Sequence, residues 1–237
     1  DDNYSALDWL AVPGVKLTGL FAQAFQAEAM KDMTKNLLYA KGMTPQLYEK
    51  LTKHLGVEGL PWNETTAPMA GYAPEWITNL RKRFEMELPQ GLENAKVTKG
   101  VGTVFGPPLG KTSPAAVAHE LGHASGLAPM KNPALGALIG SMGGFGPAAG
   151  ASYAAYKSNP DDPFLSSVGR GAVRGATANL LMSTPRLAEE LRASVRGVRA
   201  LKAIQPQIAS GASASAAKAL LTYIIGAAVS GGTAGAT

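Results

Sequence analysis

The sequence predicts a mainly α fold with one short β hairpin or edge strand and an apolar helical hairpin rich in Gly and Ala. Apolar residues recur at three- and four-residue steps through several segments, which is the period of an amphipathic helix. Only residues 96–106 are dominated by strand-forming residues. Residues 133–156 are rich in Gly and Ala and contain no charged residue, so they predict the apolar hairpin.

The composition points to contact with apolar surroundings. Charged residues make up 16% of the 237-residue chain and Gly occupies 28 positions, which is more apolar than a typical soluble domain. We therefore expect part of the chain to contact a membrane or another apolar protein surface, in a homo-oligomer or a larger assembly. The absence of Cys excludes disulfides and Cys-ligated metal sites. The net charge of +5 is spread along the chain, which predicts no specific nucleic-acid recognition.

We divide the sequence into three regions by these patterns. Residues 1–95 form an N-terminal helical region. Residues 96–204 form the core, which includes the apolar hairpin at residues 133–184. Residues 205–237 form an apolar C-terminal tail rich in Ala, Gly and Ser.

Three helices are predicted in the N-terminal region. Residues 15–39 have an amphipathic pattern. A second helix is expected to begin after Thr44, whose side chain can cap the first turn, and to end at Gly56. A third begins at Pro74, and the Pro- and Gly-rich residues 59–74 are predicted to form an ordered loop.

The pentapeptide HELGH, residues 119–123, is the pattern from which chemistry can be argued. Residues i and i+4 share one face of a helix, so His119 and His123 can bind the same metal ion with Glu120 beside it. This is the spacing of zinc peptidases, in which the glutamate is the general base. The alternative is a pair of helix histidines held by ordinary hydrogen bonds.

The motif is predicted to lie on a helix that begins at Ser113 and Pro114 and ends at Gly126. No histidine follows His123 in the sequence. A third metal ligand must therefore be a carboxylate or His54, which precedes the motif.

The strand predicted before this helix includes four strand-forming residues: Val101, Thr103, Val104 and Phe105. Gly100 and Gly102 interrupt it, which favours a short hairpin or an edge strand. An open strand edge beside a metal can pair with an extended peptide, so we expect these four residues to bind substrate. The alternative is a purely structural hairpin.

The apolar hairpin at residues 133–184 fits two environments. It can be a membrane-embedded or re-entrant hairpin, or a hairpin buried against protein. Its second half carries Gly171 and Gly175, a spacing suited to close helix packing. Pro185 is predicted to start the next helix. Residues 209–237 predict either a third apolar helix or a tail that packs on a partner.

A second motif lies downstream, where residues 189–194 read EELRAS. With HELGH, it resembles the gluzincin metallopeptidases of the HtpX and CAAX prenyl protease type, in which a HExxH helix is followed by a glutamate in a pattern like ExxAD. Glu190 and Ala193 match that pattern, and Ser194 takes the place of the usual Asp. The resemblance covers roughly residues 97–204, with a strand before the HExxH helix and apolar segments between the motifs.

The resemblance implies a helical metallopeptidase core that binds Zn²⁺ and acts on a peptide or protein substrate. The implied metal ligands are His119, His123 and Glu190. Glu120 is the implied general base, and Glu189 and Ser194 are implied to orient the ligands.

Two functions follow from these patterns. The first is a membrane-associated, zinc-dependent peptidase. The chain is also similar to compact HExxH proteins of tailed bacteriophages, which are virion or ejection-apparatus components. The alternative is therefore a structural or membrane-active component, for example of a phage virion, whose metal site is structural or vestigial. The expected location is a membrane or a virion.

Overall fold

A computed structural model describes residues 42–84, 95–126, 132–136, 149–153, 155 and 164–236. The described helices are α1 (Pro45–His54), α2 (Glu75–Arg83), α3 (Pro114–Ala124), α4 (Phe164–Ile204) and α5 (Pro206–Ala236), and the strands are β1 (Trp62–Glu64), β2 (Gly71–Ala73) and β3 (Thr103–Gly106). The predicted mainly α fold with a short β element is confirmed. The helix predicted at residues 15–39 lies outside the described residues, as do residues 137–148.

The chain divides into two compact units. Unit 1 comprises Asp1–Lys31, Leu138–Leu187 and Ala219–Thr237. Unit 2 comprises Asp32–Ala137 and Ala188–Lys218, and it contains the sheet and the HELGH helix.

The predicted helix starts of unit 2 are confirmed by their caps. The Thr44 hydroxyl accepts a hydrogen bond from the Leu47 N–H at 3.2 Å, and Gly56 follows α1 with φ of 70°. The Ser113 hydroxyl accepts from the Ala115 N–H at 3.1 Å at the start of α3. These side chains satisfy backbone donors that have no partner within the helix, so the boundaries follow from local sequence.

The sheet corrects two predictions. Its order is β1-β3-β2, with β1 parallel and β2 antiparallel to β3. Residues 59–74 are predicted as loop, yet two short segments within them, 62–64 and 71–73, form β1 and β2. Strands of three residues are too short to show a two-residue alternation, and the surrounding Pro and Gly residues indicate loop.

The second correction concerns the predicted substrate edge. Thr103, Val104 and Phe105 do form a strand, but β3 is the central strand and is paired on both sides. Val101 lies in the turn before it. Pairing partners that are distant in sequence decide which strand is an edge, so β2 and β1 are the edges of this sheet.

The core of unit 2 joins β3 to the surrounding helices. Its fully buried apolar side chains include Met43, Leu51, Val104, Val117, Leu121 and Leu201. Val117 and Leu121 anchor α3 in this core, while His119 and Glu120 stay partly exposed beside it. The HELGH motif is therefore held on a rigid helix at the margin of the core.

The long helix α4 corrects the role of Pro185. This residue was predicted to start a helix, but it lies inside α4, which begins at Phe164. Buried residues lie on both sides of Pro185, at Ser183 in unit 1 and at Glu189 and Ala193 in unit 2. Tertiary packing therefore outweighs the usual preference of proline for a helix start.

The apolar C-terminal residues form α5, so the predicted third apolar helix is present. Within the described part of the chain, Gly211–Gly232 is the one helical segment long and apolar enough to cross a membrane.

Glycines bring α4 and α5 together in unit 1. A Cβ atom on Gly175 would lie 2.1 Å from the Gly231 carbonyl oxygen, and one on Gly235 would lie 2.2 Å from the Gly171 carbonyl oxygen. The predicted glycine step on α4 is thus a site of close helix packing. Its partners are α5 and also Gly150, whose Cβ would lie 2.7 Å from the Gly175 carbonyl oxygen.

Replacing Gly175 by Ala tests this packing. We expect Gly175→Ala to lower the free energy of unfolding by about 1–3 kcal/mol, because the added methyl overpacks the contact with Gly231. Gly169→Ala is the matched control: it lies in the same helix with no atom within 4 Å of its added Cβ. It should stabilise by about 0.5–1 kcal/mol. Thermal unfolding followed by circular dichroism gives both values, and a Gly175→Ala protein as stable as the control would contradict the packing.

Candidate metal centre

The candidate centre is built where α3 crosses α4 in unit 2. A Cβ atom on Gly122 would lie 2.2 Å from the Ala193 carbonyl oxygen, and one on Gly197 would lie 2.4 Å from the Ala118 carbonyl oxygen. Small residues on both helices therefore permit direct backbone contact. This contact places one face of the HELGH motif against residues 189–194 of α4.

Three side-chain donors converge at this crossing. Glu190 Oε2 lies 3.2 Å from His119 Nε2 and 3.5 Å from His123 Nε2. The two Nε2 atoms are 3.2 Å apart. A tetrahedral ion with bonds of about 2.1 Å keeps its donors about 3.4 Å apart. The group has this spacing and could hold a metal ion.

The two facing ring nitrogens support the same conclusion. When both neutral imidazoles carry their proton on Nδ1, two Nε2 lone pairs face each other at 3.2 Å and repel; when one Nε2 carries a proton, the contact is an N–H···N hydrogen bond. A proton or a metal cation between them removes this repulsion. The donor set therefore fits a cation, which the Glu190 carboxylate would help to neutralise.

The structure brings together all three residues that the resemblance implied as ligands. His54, the other residue considered as a third ligand, is exposed at the end of α1 and is not a member of the group. A carboxylate thus occupies the third position.

The outer ring nitrogens of both histidines face orienting groups on α4. His119 Nδ1 lies 2.9 Å from Ser194 Oγ. His123 Nδ1 lies 3.7 Å from Glu189 Oε1, and among the described residues neither of these two atoms has a hydrogen-bond partner. The other Glu189 oxygen, Oε2, accepts a hydrogen bond from Arg192 at 3.3 Å. Such partners fix the orientation of metal-binding imidazoles, so Ser194 and Glu189 lie where ligand-orienting residues are needed.

An arginine links the end of α3 to α4. The Arg196 guanidinium donates a hydrogen bond to the Ser125 carbonyl at 3.0 Å. Ser125 is the C-cap residue of α3, where carbonyl groups lack helical partners and the helix dipole is negative. The positive charge therefore stabilises the helix end that follows His123.

Charges within the group favour a protonated histidine beside an ionised carboxylate. Burial lowers the pKa of His123, but the Glu189 and Glu190 carboxylates outweigh it and raise that pKa to about 10. Burial also opposes ionisation of Glu190, yet its contacts with His119 and His123 hold its pKa well below the usual value. Without a metal, His123 and Glu190 therefore form an ion pair at neutral pH. A metal ion must displace the proton on His123.

Glu120 lies beside the donors but is not one of them. Burial raises the pKa of its carboxyl group, and the nearby charges of His119 and His123 oppose that rise. The backbone amide of Tyr72, in β2, also favours the ionised form. A carboxylate with a raised pKa is a stronger base, which suits proton transfer.

Tyr72 is a site residue that sequence reasoning missed. Its ring is parallel to the His123 ring within 6°, with the centroids 6.2 Å apart. Its hydroxyl donates a hydrogen bond to the Val101 carbonyl, and burial followed by the Glu189 charge raises its pKa. No local signal could have identified it, because a tyrosine in a Pro- and Gly-rich segment has many ordinary roles.

The edge strand beside the centre is β2, since its Tyr72 contacts both His123 and Glu120. Thr103 and Val104, which were predicted to bind substrate, are fully buried in the central strand. The predicted edge is therefore misplaced by one strand.

Comparison with known protein families, curated proteins and solved structures gives no match to this chain.

Gly122 provides a test of the helix crossing. Gly122→Ala should abolish stoichiometric metal binding, because the added Cβ forces α3 away from Ala193 and separates Glu190 from the imidazoles. Gly211→Ala, another helical glycine but with open space around it, should bind metal as the wild type does. Metal content after dialysis, with circular dichroism to check folding, measures both. Full metal binding by a folded Gly122→Ala protein would show that metal binding does not depend on the close approach of α3 and α4.

The pKa values give a test by pH. The raised pKa of His123 contributes stability that is complete below its usual value of 6.5 and is lost as pH rises through about 10. The lowered pKa of Glu190 contributes stability that is present above its usual value of 4.5 and is lost in acid. Metal-free protein should therefore be most stable between these two usual values.

Above pH 6.5 the metal-free protein should lose stability, whereas stabilisation by added metal should increase with pH, because protons compete with the metal for His123. The difference in melting temperature with and without ZnCl₂ should grow as pH rises from 6 to 8. In a His123→Gln protein this growth should be lost. A metal-induced shift that shrinks with rising pH in the wild type would contradict the assignment.

Proposed function

We propose that this protein is a zinc-dependent peptidase of the gluzincin type that hydrolyses a peptide bond with Glu120 as general base. The observation that carries the proposal is the convergence of the HELGH imidazoles and the Glu190 carboxylate, with Glu120 next to them. Two histidines and one glutamate are the protein ligands of several catalytic zinc sites. Such sites leave a fourth position for water or substrate.

The donor chemistry favours zinc over calcium or magnesium. Two imidazole nitrogens and one carboxylate suit zinc, whereas calcium and magnesium prefer oxygen ligands. When bound, zinc acts as a Lewis acid that polarises a carbonyl group and acidifies water. Metals that accept the same ligands, such as Mn²⁺ and Co²⁺, are comparison ions for the assay.

The chain's own residues supply the proton transfers. Glu120 accepts a proton from the attacking water and then passes it to the leaving amine, so its carboxyl group returns to its starting state. Its raised pKa makes the carboxylate a stronger base for the first transfer. Ser194 and Glu189 hold the two imidazoles in place during this cycle.

We place the substrate along β2. Among the described strands, β2 pairs with β3 alone, so its other edge is available to an extended peptide. Because the Tyr72 amide on β2 approaches the Glu120 carboxyl group, a peptide added at this edge would lie beside the general base.

The decisive variant is Glu120→Gln. It should retain zinc, because Glu120 is not a ligand, and should cleave peptides at least about 100-fold more slowly, because general-base catalysis is lost. Glu58→Gln, an exposed glutamate outside the site, is the matched control and should cleave normally. Mass spectrometry of a peptide mixture detects the products. Equal cleavage by wild type and Glu120→Gln would refute the proposal that the protein is a peptidase with Glu120 as its general base.

A second function is favoured by the position of the donors on two packed helices. A metal held by α3 and α4 would join them and stabilise the fold without turnover. In that case the protein is a structural or membrane-active component, for example of a phage virion or ejection apparatus.

The same variants separate the two functions. Under the structural function, His119→Ala lowers the melting temperature and the metal content, while Glu120→Gln leaves stability and assembly unchanged and no cleavage occurs in any variant. Loss of assembly in Glu120→Gln would contradict the structural function.

A further inference from the structure

The buried positions of unit 1 have an unusual chemical character. On α4, every fourth residue from 171 to 183 is buried, and these residues are Gly171, Gly175, Asn179 and Ser183. The other buried residues described in this unit are Gly150, Thr222 and Gly231. The described interior of unit 1 is therefore made of small or polar residues.

Hydrogen bonding supports this interior. The Asn179 side-chain amide donates to the Ala227 carbonyl of α5 at 2.7 Å, although Asn179 is only 3% exposed. The exposed Thr177 and Thr184 hydroxyls donate to carbonyls of their own helix, those of Val173 and Leu180, at 2.8 and 3.0 Å. These three donors are thus satisfied without water, whereas the buried Asn179 Oδ1 has no hydrogen-bond partner among the described residues.

The outer surface of the same helices is aliphatic. Val173 and Leu181 on α4 are 67% and 69% exposed. On α5 the exposed large side chains are Leu221, Ile224, Ile225 and Val229. A water-soluble helix pair has the opposite arrangement, with large apolar residues inside. Small and polar residues between helices, with aliphatic residues outside, are typical of helices in lipid.

Charge and length agree with a lipid environment. Residues 164–187 and 206–236 contain no acidic residue, while Arg170 and Arg186 lie on either side of Val173 and Leu181, and Arg174 follows Val173. Anionic lipid head groups attract such basic residues. The unit 1 part of α5, residues 219–236, overlaps the apolar segment Gly211–Gly232 and is about 27 Å long, close to the hydrocarbon thickness of a bilayer.

We propose that residues 164–187 of α4 and 219–236 of α5 form a lipid-binding helix pair that inserts its aliphatic surface into an anionic bilayer. The glycines and Asn179 hold the two helices together inside the bilayer. The arginines contact the phosphate head groups. This inference does not depend on peptidase activity.

Vesicle flotation of the full chain tests the proposal. The wild type should float with vesicles of phosphatidylcholine and phosphatidylglycerol, and less with phosphatidylcholine alone. The double variant Leu181→Glu, Leu221→Glu should lower the floated fraction at least about tenfold, because it places two charges on the lipid-facing surface. Leu80→Glu changes an exposed leucine on α2 in unit 2, and it should float as the wild type does. Circular dichroism and metal content check that all variants fold.

Three outcomes would overturn the proposal. The wild type fails to float with anionic vesicles, or the double variant floats as well as the wild type does. In the third, neither protein floats, the wild type self-associates without lipid, and the double variant is monomeric. That result would mean that a second copy of this chain, and not lipid, covers the aliphatic surface. Glu120→Gln should float normally, so failure of the peptidase and failure of lipid binding are distinguishable.

Discussion

The candidate metal centre depends on how closely α3 and α4 approach each other. Gly122 and Gly197 each face the backbone of the opposite helix, at Ala193 and Ala118. Side chains at these positions would increase the distance between the helix axes, since that distance is set by the residues at the contact. Glu190 can then reach both imidazoles with a short side chain. Gly122 and Gly197 are not metal-binding residues themselves, yet they allow Glu190 to come close enough to join the two HELGH histidines.

Unit 1 uses the same close packing in a different chemical setting. Gly175 and Gly231 let α4 and α5 meet, but Asn179, Ser183 and Thr222 are the buried residues around them and the large aliphatic side chains point outward. At the metal centre, close packing brings opposite charges together. In unit 1, close packing leaves no room for large side chains between the helices, so the aliphatic residues lie on the outer surface. Helix packing through glycine residues is thus found at a polar site in unit 2 and beneath an apolar surface in unit 1.

Local features were predictable because they depend on neighbouring residues. The caps at Thr44 and Ser113 and the shared face of His119 and His123 need only a few consecutive residues. The EELRAS motif also indicated Glu190, although by resemblance and not by geometry. Prediction failed where distant segments compete. Pairing of β3 on both sides moved the open edge to β2, and the continued packing of α4 kept Pro185 inside a helix.

The sequence by itself determined the mainly α fold, the helix that carries HELGH and the chemistry of its donors, because helix periodicity and side-chain type are local properties. Tertiary structure alone decided that Glu190 completes the donor group, that Ser194 and Glu189 face the outer ring nitrogens, and that Tyr72 lies against His123. These contacts join residues about fifty to seventy-five positions apart in the chain. Only the packing of helix against helix and strand sets such distances, and no local pattern encodes them.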